Sequence, residues 1–533
     1  MGRAKFFILF FIFILFYGAL GVNLYELQIE KGDYYIGKVN AMRERIAELE
    51  LRRGQIFVTD RSGTKIPLAL NKDYPVIFAS PNEIEDDAGT ARLMADLFNL
   101  DQKDLLSAFG NKKSYFKSLV DKATDAQVSK IAELALPGIH VETKQYRYYP
   151  FERLGSQLLG FVGVNKNYDE PVGLYGMEKF ANEELREGND MYLTIDRNIQ
   201  AQSEQILEDL MKEFEAVGGT IIVQNPKTGE ILAIANKPDF NPNEYGKSSI
   251  SSFLNAGVQL VYEPGSVMKP ITMAAGIDSE SFTPDTSYTD KGTVTLNGKT
   301  IHNAQDKVYG KVTMTEVIEN SINTGAVYAE SLMGHDIFYN YLEKFGFSGT
   351  SGIDLPDEVS GNITNLASKN ARAVDFATAS FGQGVALTPI SLVNAFSAIA
   401  NGGLLMKPYI SKDEDPYIVR RVIEKDTANQ VAKMIESTVT KAKIAAIPNY
   451  RIAGKTGTAF IPDFKKGGYS EEMIHTFVGF APVSNPQFTV LIKLDKPKVG
   501  ELAGLTVVRA FKRLSQFLIN YYNIPPDKFP ETQ

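Results

Sequence analysis

Along the 533 residues the spacing of apolar positions changes several times, and each change marks a different kind of element. Phe6 to Tyr25, FFILFFIFILFYGALGVNLY, is an uncharged run of about the length a helix needs to cross a bilayer core. Arg3 and Lys5 precede it and Glu26 and Glu30 follow it, so the positive-inside bias places residues 1–5 in the cytoplasm and the rest of the chain outside. Ala19 and Gly21 are small enough for a cleavage site, so a removed signal peptide is the alternative to a retained anchor over residues 6–25. Both readings put the body of the protein in an extracytoplasmic space.

Residues 26–190 mix periods without a repeat. Arg53 to Leu70 reads as two β-rich runs around an Asp60-Arg61-Ser62-Gly63 turn, whereas TARLMADLFNL and QVSKIAELAL place apolar residues at helical intervals. An α+β pedestal or docking module is expected there. From residue 191 the texture changes: MYLTID reads as a strand, and Ile199, Ile206, Leu207, Leu210 and Phe214 then share one helix face. GGTIIVQ and EILAIA are β-rich runs joined by a turn, NPKTG; a long helical stretch follows, and HTFVGFAPV and FTVLIKLD flank SNPQ near the end. Strands on both sides of a helical middle predict, for residues 191–533, one sheet assembled from the two ends of an α/β (α+β) domain.

Composition narrows the chemistry. A hydrophobic content of 44% supports a large core, and the length suggests two or more domains. With 56 basic and 64 acidic residues and no Lys/Arg block, nucleic acid is not an expected partner. The absence of Cys removes disulfides, thiolate catalysis and Cys-based zinc sites, and the four His, at 140, 302, 335 and 475, lack metal-ligand spacing. Neither a metal nor a cofactor is expected.

Nucleophilic serine chemistry remains. Ser-x-x-Lys occurs at Ser62, Ser114 and Ser266, so spacing alone selects none of them. Ser62 lies in the expected turn and Ser114 in the polar NKKSYFK, where a solvated surface explains both. Ser266, in YEPGSVMKPIT, opens a run in which Met268, Ile271, Ala274 and Ala275 form an apolar helix stripe. Residues three apart share a helix face, which brings the Lys269 amine to the Ser266 hydroxyl, and a desolvated lysine is neutral enough to accept its proton. Pro270 conflicts with a helix beginning at Lys269; either the conflict is local strain at a functional site, or the helix starts earlier, near Pro264. Lys-Thr-Gly occurs at Lys227, where a hairpin turn explains it, and at Lys455 in RIAGKTGTAF. The latter is not a phosphate loop, because Asn449 stands where the first glycine is needed; FGQG at 381–384 likewise fails as a dinucleotide fingerprint at Leu387. Ser-x-Asn appears at Ser80, Ser321 and Ser368, and chain order does not separate the last two.

Taken in order, EPGSVMKP, SINTG and AGKTGTA resemble the three active-site motifs of penicillin-binding proteins, the serine D,D-transpeptidases. LTIDRNIQ, PKTGEILAIANKPDFNPN, FGQGVALTP, GGLLMKP and HTFVGFAP resemble further segments of that transpeptidase domain. RGQIFVTDRSG, QYRYYPFERLGSQLLGFVG and GLYGMEKFANEELREG are similar to the pedestal of the monofunctional class B members, with Phe57 and Val58 as two extra residues in the first. No glycosyltransferase-sized region precedes the pedestal, which argues against class A, and Asn323 followed by Thr-Gly leans toward the cell-division branch. The resemblance implies a β-lactamase-like transpeptidase fold with an antiparallel sheet and a helical subdomain, behind a pedestal and a single transmembrane helix. It implies Ser266 as nucleophile, Lys269 as base, Ser321 and Asn323 as proton relay and substrate holders, and Lys455 with Thr456 and Thr458 on the substrate carboxylate. Backbone N–H groups of Ser266 and Thr458 would form the oxyanion hole, with Gly457 leaving room for the peptide. Implied partners are peptidoglycan stem peptides, β-lactams as inhibitors, the membrane, a polymerase, and division or elongation proteins. A D,D-carboxypeptidase or β-lactamase on the same fold, an elongation-type enzyme and a non-catalytic scaffold are the alternatives.

Overall fold

A computed structural model of the chain describes residues 53–163, 171–463, 465–500 and 502–528, with isolated positions between 10 and 25. The expected span Phe6–Tyr25 lies partly outside these residues; its described positions are helical, and Phe10, Phe11, Phe13, Ile14, Leu15, Phe16, Tyr17 and Leu20 are exposed. No helix among the described residues is long and apolar enough to cross a membrane.

The first described region is the expected α+β module. Strands β1 (Ile56–Thr59) and β2 (Lys65–Ala79) pair antiparallel around the Asp60 turn. The Asp60 carboxylate closes that turn by accepting the N–H groups of Ser62 and Thr64 at 2.9 and 3.0 Å. In the segment that carries the two extra residues, Val58 is buried and Phe57 stacks on Tyr192 at 5.3 Å. Helices α1 (Asp87–Phe98) and α2 (Asp125–Leu134) are capped by the side chains of Asp86 and Thr124, the latter in a full capping box with Gln127. Between them in sequence lies β3 (Lys117–Val120), and β4 (Ile139–Tyr148) follows; both pair with β2. Ile77, Met94, Phe109, Leu119 and Ile131 form the small core of this head.

Its lower end is held by charge. Glu178, fully buried, receives Arg53 Nε at 2.8 Å on one oxygen and Arg147 Nε at 2.5 Å on the other. Strand β5 (Met191–Asp196) then runs parallel to β1 while Thr194 N–H donates to the Ile410 carbonyl at 2.6 Å. The expected divide at residue 190 therefore falls just ahead of a strand bonded on both sides.

Asp196 caps α3 (Arg197–Phe214), accepting the N–H groups of Asn198 and Ile199. Next come β6 (Gly218–Gln224) and β7 (Ile231–Lys237); far along the chain come β8 (Ala453–Pro462), β9 (Tyr469–Ala481) and β10 (Phe488–Asp495). They form one antiparallel sheet in the order β8-β9-β10-β6-β7, so the strands do come from both ends of the domain. Alternation sorts its side chains: Ile221, Val223, Val490 and Ile492 pack with α3 residues and with Phe511 and Leu514 of the C-terminal helix 507–522. Ile222, Leu491 and Val478 join the larger core of the helical middle.

Glu178→Ala would leave two guanidinium groups facing each other in a buried pocket. The expected loss is about 3–5 kcal/mol, read as a lowered urea midpoint of the extracytoplasmic portion; a change within experimental error would remove this triad as the clasp of the pedestal.

Candidate active site

The Ser266 motif is built on a change of helix type. Gly265–Met268 form one 3-10 turn, and Lys269–Asp278 continue as an α-helix, named α4. Lys269 is helical at φ −55, ψ −41 although Pro270 follows it; Pro270 lies in the first turn, where its missing N–H has no intrahelical partner. The helical path thus begins earlier, beside Pro264. In a 3-10 turn residues three apart eclipse each other, and Lys269 Nζ stands 3.0 Å from Ser266 Oγ.

Lys269 is fully buried and has three further neighbours: the Ser321 carbonyl at 2.6 Å, Ser321 Oγ at 3.1 Å and Asn323 Oδ1 at 2.9 Å. Ser321 and Asn323 sit where α5 (Met314–Glu319) breaks into α6 (Asn323–Met333). Ser321 adopts φ +55, a left-handed conformation disfavoured for a residue with a Cβ, and this turns both its oxygens toward Lys269. From the other side Lys455 Nζ donates to Ser321 Oγ at 3.0 Å and to the Thr456 carbonyl at 3.2 Å. Three distant segments meet at one hydroxyl.

No carboxylate among the described residues reaches either amine. Burial holds Lys269 well below the usual lysine range, with the Lys455 charge adding to the effect, and burial alone brings Lys455 to about 7. As a free amine Lys269 can donate to the Ser321 carbonyl and Asn323 Oδ1 and offer its lone pair to the Ser266 hydroxyl. The arrangement can remove a proton from a half-buried serine and return it nearby.

Strand β8 is an edge of the main sheet and runs beside the Ser266 turn. Thr456 and Thr458 are half-buried on it, and Thr458 Oγ1 accepts the Ala503 N–H at 3.1 Å. Gly457 is required by the protein itself: a Cβ there would lie 2.6 Å from the Pro264 carbonyl, so the expected crowding comes from the nucleophile turn before any peptide. Gly265, at φ +60, meets the Thr458 carbonyl in the same way at 3.0 Å.

Sequence reasoning gave no role to Gly382, yet its carbonyl accepts the Gly265 N–H at 3.0 Å, and a Cβ on it would come within 2.2 Å of the Gly265 carbonyl. The Phe-Gly-x-Gly dipeptide pair, set aside as a nucleotide fingerprint, was the available signal. The remaining motif copies lie elsewhere. Ser62 closes the Asp60 turn, Ser114 bonds the Phe116 carbonyl, and Ser80 bonds the Tyr115 carbonyl. Ser368 accepts the N–H of Asn370, and Lys227 lies in the β6–β7 turn with its amine on Asn485. Among the described residues no group of three or more His, Asp or Glu is placed to hold a metal.

Residues 219–516 match the penicillin-binding protein transpeptidase domain, and residues 49–232 match the penicillin-binding protein dimerisation domain. The chain is 31% identical to stage V sporulation protein D of Bacillus subtilis over 93% of its own length and 83% of the relative's. It is 28% identical to peptidoglycan D,D-transpeptidase FtsI of Escherichia coli, covering 94% of this chain and 89% of that one. A crystal structure of a peptidoglycan synthetase from Bifidobacterium adolescentis superposes with a TM-score of 0.70 at 25% identity, over 91% of this chain and 97% of the other. Penicillin-binding protein 2X from Streptococcus thermophilus shares the fold, with a TM-score of 0.71 at 21% identity over 90% and 82% of the two chains. Motif order, the lysine-centred site and these matches over nearly the whole chain agree: the protein belongs to the class B penicillin-binding proteins.

Proposed function

We propose that the protein is a peptidoglycan D,D-transpeptidase that cross-links stem peptides through an acyl-enzyme on Ser266. The observation that carries this reading is a fully buried lysine that no carboxylate among the described residues reaches, 3.0 Å from the hydroxyl of a half-buried serine. The Lys269 amine takes the Ser266 proton while Oγ attacks the carbonyl carbon of the penultimate D-Ala. Backbone N–H groups of Ser266 and Thr458 receive the developing oxyanion, a contribution of about 100- to 1000-fold per donor. The C–N bond to the terminal D-Ala then breaks, and the proton reaches the leaving amine by way of the Ser321 hydroxyl, which lies within 3.1 Å of both lysines. Lys455, Thr456 and Thr458 bind the terminal carboxylate, and Asn323 holds the peptide. An amine of a neighbouring stem peptide next attacks the ester, releases Ser266, and passes its proton back to the lysine–serine relay. The donor amide supplies the energy of the new bond, so the reaction runs without ATP outside the membrane. β-Lactams mimic the donor and leave Ser266 acylated.

The edge position of β8 supports the substrate role, because an extended peptide can lie along a strand with a free side. The uncharged run Phe6–Tyr25 supports a single-pass anchor with residues 1–5 in the cytoplasm, residues 26–190 as pedestal and residues 191–533 as the catalytic domain. Asn323-Thr324-Gly325 supports a septal role over an elongation role, with a glycan polymerase and division proteins as partners. Product analysis with a cross-linkable stem peptide separates transpeptidation from carboxypeptidation.

A fluorescent penicillin is expected to label the extracytoplasmic portion covalently, and Ser266→Ala to abolish the label while far-UV circular dichroism is unchanged; equal labelling of the variant would place the nucleophile elsewhere. Lys269→Ala should fold and acylate about 100- to 10,000-fold more slowly; stopped-flow acylation near the unmutated rate would remove it from the base role. The carboxylate site is proton-linked with a defined sign. Burial brings the Lys455 amine down to about 7, and only its cation attracts an anion, so affinity weakens as pH rises. Non-covalent binding of a penicillin to the Ser266→Ala variant should be tighter at pH 6 than at pH 9, by up to about tenfold per unit above the pKa; a flat profile would exclude Lys455 as the carboxylate partner.

A further inference from the structure

Helix α6 begins without a cap of its own. Its N-cap position is Ile322, which has no side-chain oxygen, and the two flanking polar residues are engaged elsewhere: Ser321 Oγ and Asn323 Oδ1 both face Lys269. The first-turn N–H groups of a helix need partners, and a helix start that carries reacting side chains needs a fixed position. The partners come from another part of the chain. Asn303 Oδ1 accepts the Thr324 N–H at 3.1 Å, and the neighbouring His302 carbonyl accepts from Asn323 Nδ2 at 2.9 Å.

Asn303 is itself held tightly. Its Nδ2 donates to the Asp290 carboxylate at 3.0 Å and to the Lys307 carbonyl at 3.0 Å. Asp290 also accepts the Thr324 hydroxyl at 2.6 Å, the Tyr309 N–H at 2.8 Å and the Gly292 N–H at 3.0 Å. Asp290, Asn303 and Thr324 are 2%, 3% and 6% exposed, so these bonds form away from solvent. A carboxylate beside the first turn of α6 also complements the partial positive charge there.

We infer that Asn303, anchored by Asp290, is a positioning residue for the reaction: it caps α6 in place of the side chains that the site uses, and thereby fixes the Asn323 amide against Lys269. Residues 302 and 303 grip two successive residues, Asn323 and Thr324, so a shift of this segment moves the amide oxygen that receives a Lys269 hydrogen. The inference rests on the transpeptidase reading above, since it concerns the geometry of that site. A residue with a merely structural role lowers stability and acts equally whether Asn323 is present or absent; a residue that acts through Asn323 does not.

The test is a double-mutant cycle on the second-order rate of acylation by fluorescent penicillin, with Asn303→Ala made in the unmutated chain and in Asn323→Ala. In the unmutated chain the expected loss is about 10- to 100-fold, the scale of a small misplacement of a reacting group. In the Asn323→Ala background the same change should alter the rate by less than about threefold. A rate within threefold of the parent in the first background, or an equal loss in both, overturns the inference. If circular dichroism shows that Asn303→Ala does not fold, Thr324→Val, which removes the hydroxyl that bonds Asp290, Asn303 Oδ1 and the Tyr288 hydroxyl, is taken through the same cycle under the same criteria. Failure of the unmutated chain to label would instead overturn the transpeptidase reading, and this positioning role with it.

Discussion

An amine taken out of water without a counter-ion loses proton affinity, and the site of this protein is organised around two such amines. Lys269 and Lys455 are 0% and 1% exposed, face one another across Ser321, and meet no carboxylate among the described residues. Partnering either with Asp or Glu would restore the charge and remove the base. Oxygen atoms that carry no charge surround Lys269 instead: a carbonyl, two hydroxyls and an amide. They satisfy its hydrogens while leaving its proton affinity low.

That requirement accounts for much of the surrounding architecture. The Ser321 carbonyl, the Ser321 hydroxyl and the Asn323 amide reach one amine where the α5–α6 junction breaks and Ser321 takes φ +55. The strain is held from outside, by the Asp290–Asn303 bonds on one side and by α4 on the other. Close backbone approach does the same work at the nucleophile. Gly265, Gly382 and Gly457 lie where any side chain would push the 3-10 turn away from β8 or from the Phe381–Gly384 segment. The sheet supplies the rigid reference: β8 is bonded to β9 along its length, so Lys455 is carried on a strand that cannot drift.

Much of this was legible before any coordinates. Apolar period located the strands at both ends of the domain and the amphipathic helix after Asp196, and turn chemistry located the Asp60 and Lys227 loops. The Ser266–Lys269 pair was legible because eclipsed or nearly eclipsed neighbours three residues apart are a local property of the helix. The start of that helix beside Pro264 was one of two readings, and tertiary contact from Gly382 chose it. The reason for Gly457 was not legible, because the atom it avoids belongs to Pro264, far away in sequence. Nor did the chain order of Ser321 and Ser368 say which of the two serines would reach a lysine.

The sequence by itself determined what depends on neighbours within a turn or along a strand: element type, the polar turns, the pairing of one serine with one lysine, and the family signature of three ordered motifs. The tertiary structure decided what depends on residues brought together from separate elements of the fold. It placed Lys455 and Ser321 on a common hydrogen bond, kept every carboxylate among the described residues away from both amines, and supplied the cap of α6 from Asn303. Proton affinity is set by all the atoms around a group, near and distant alike, and so the reactivity of Lys269 becomes readable only once the chain has folded around it.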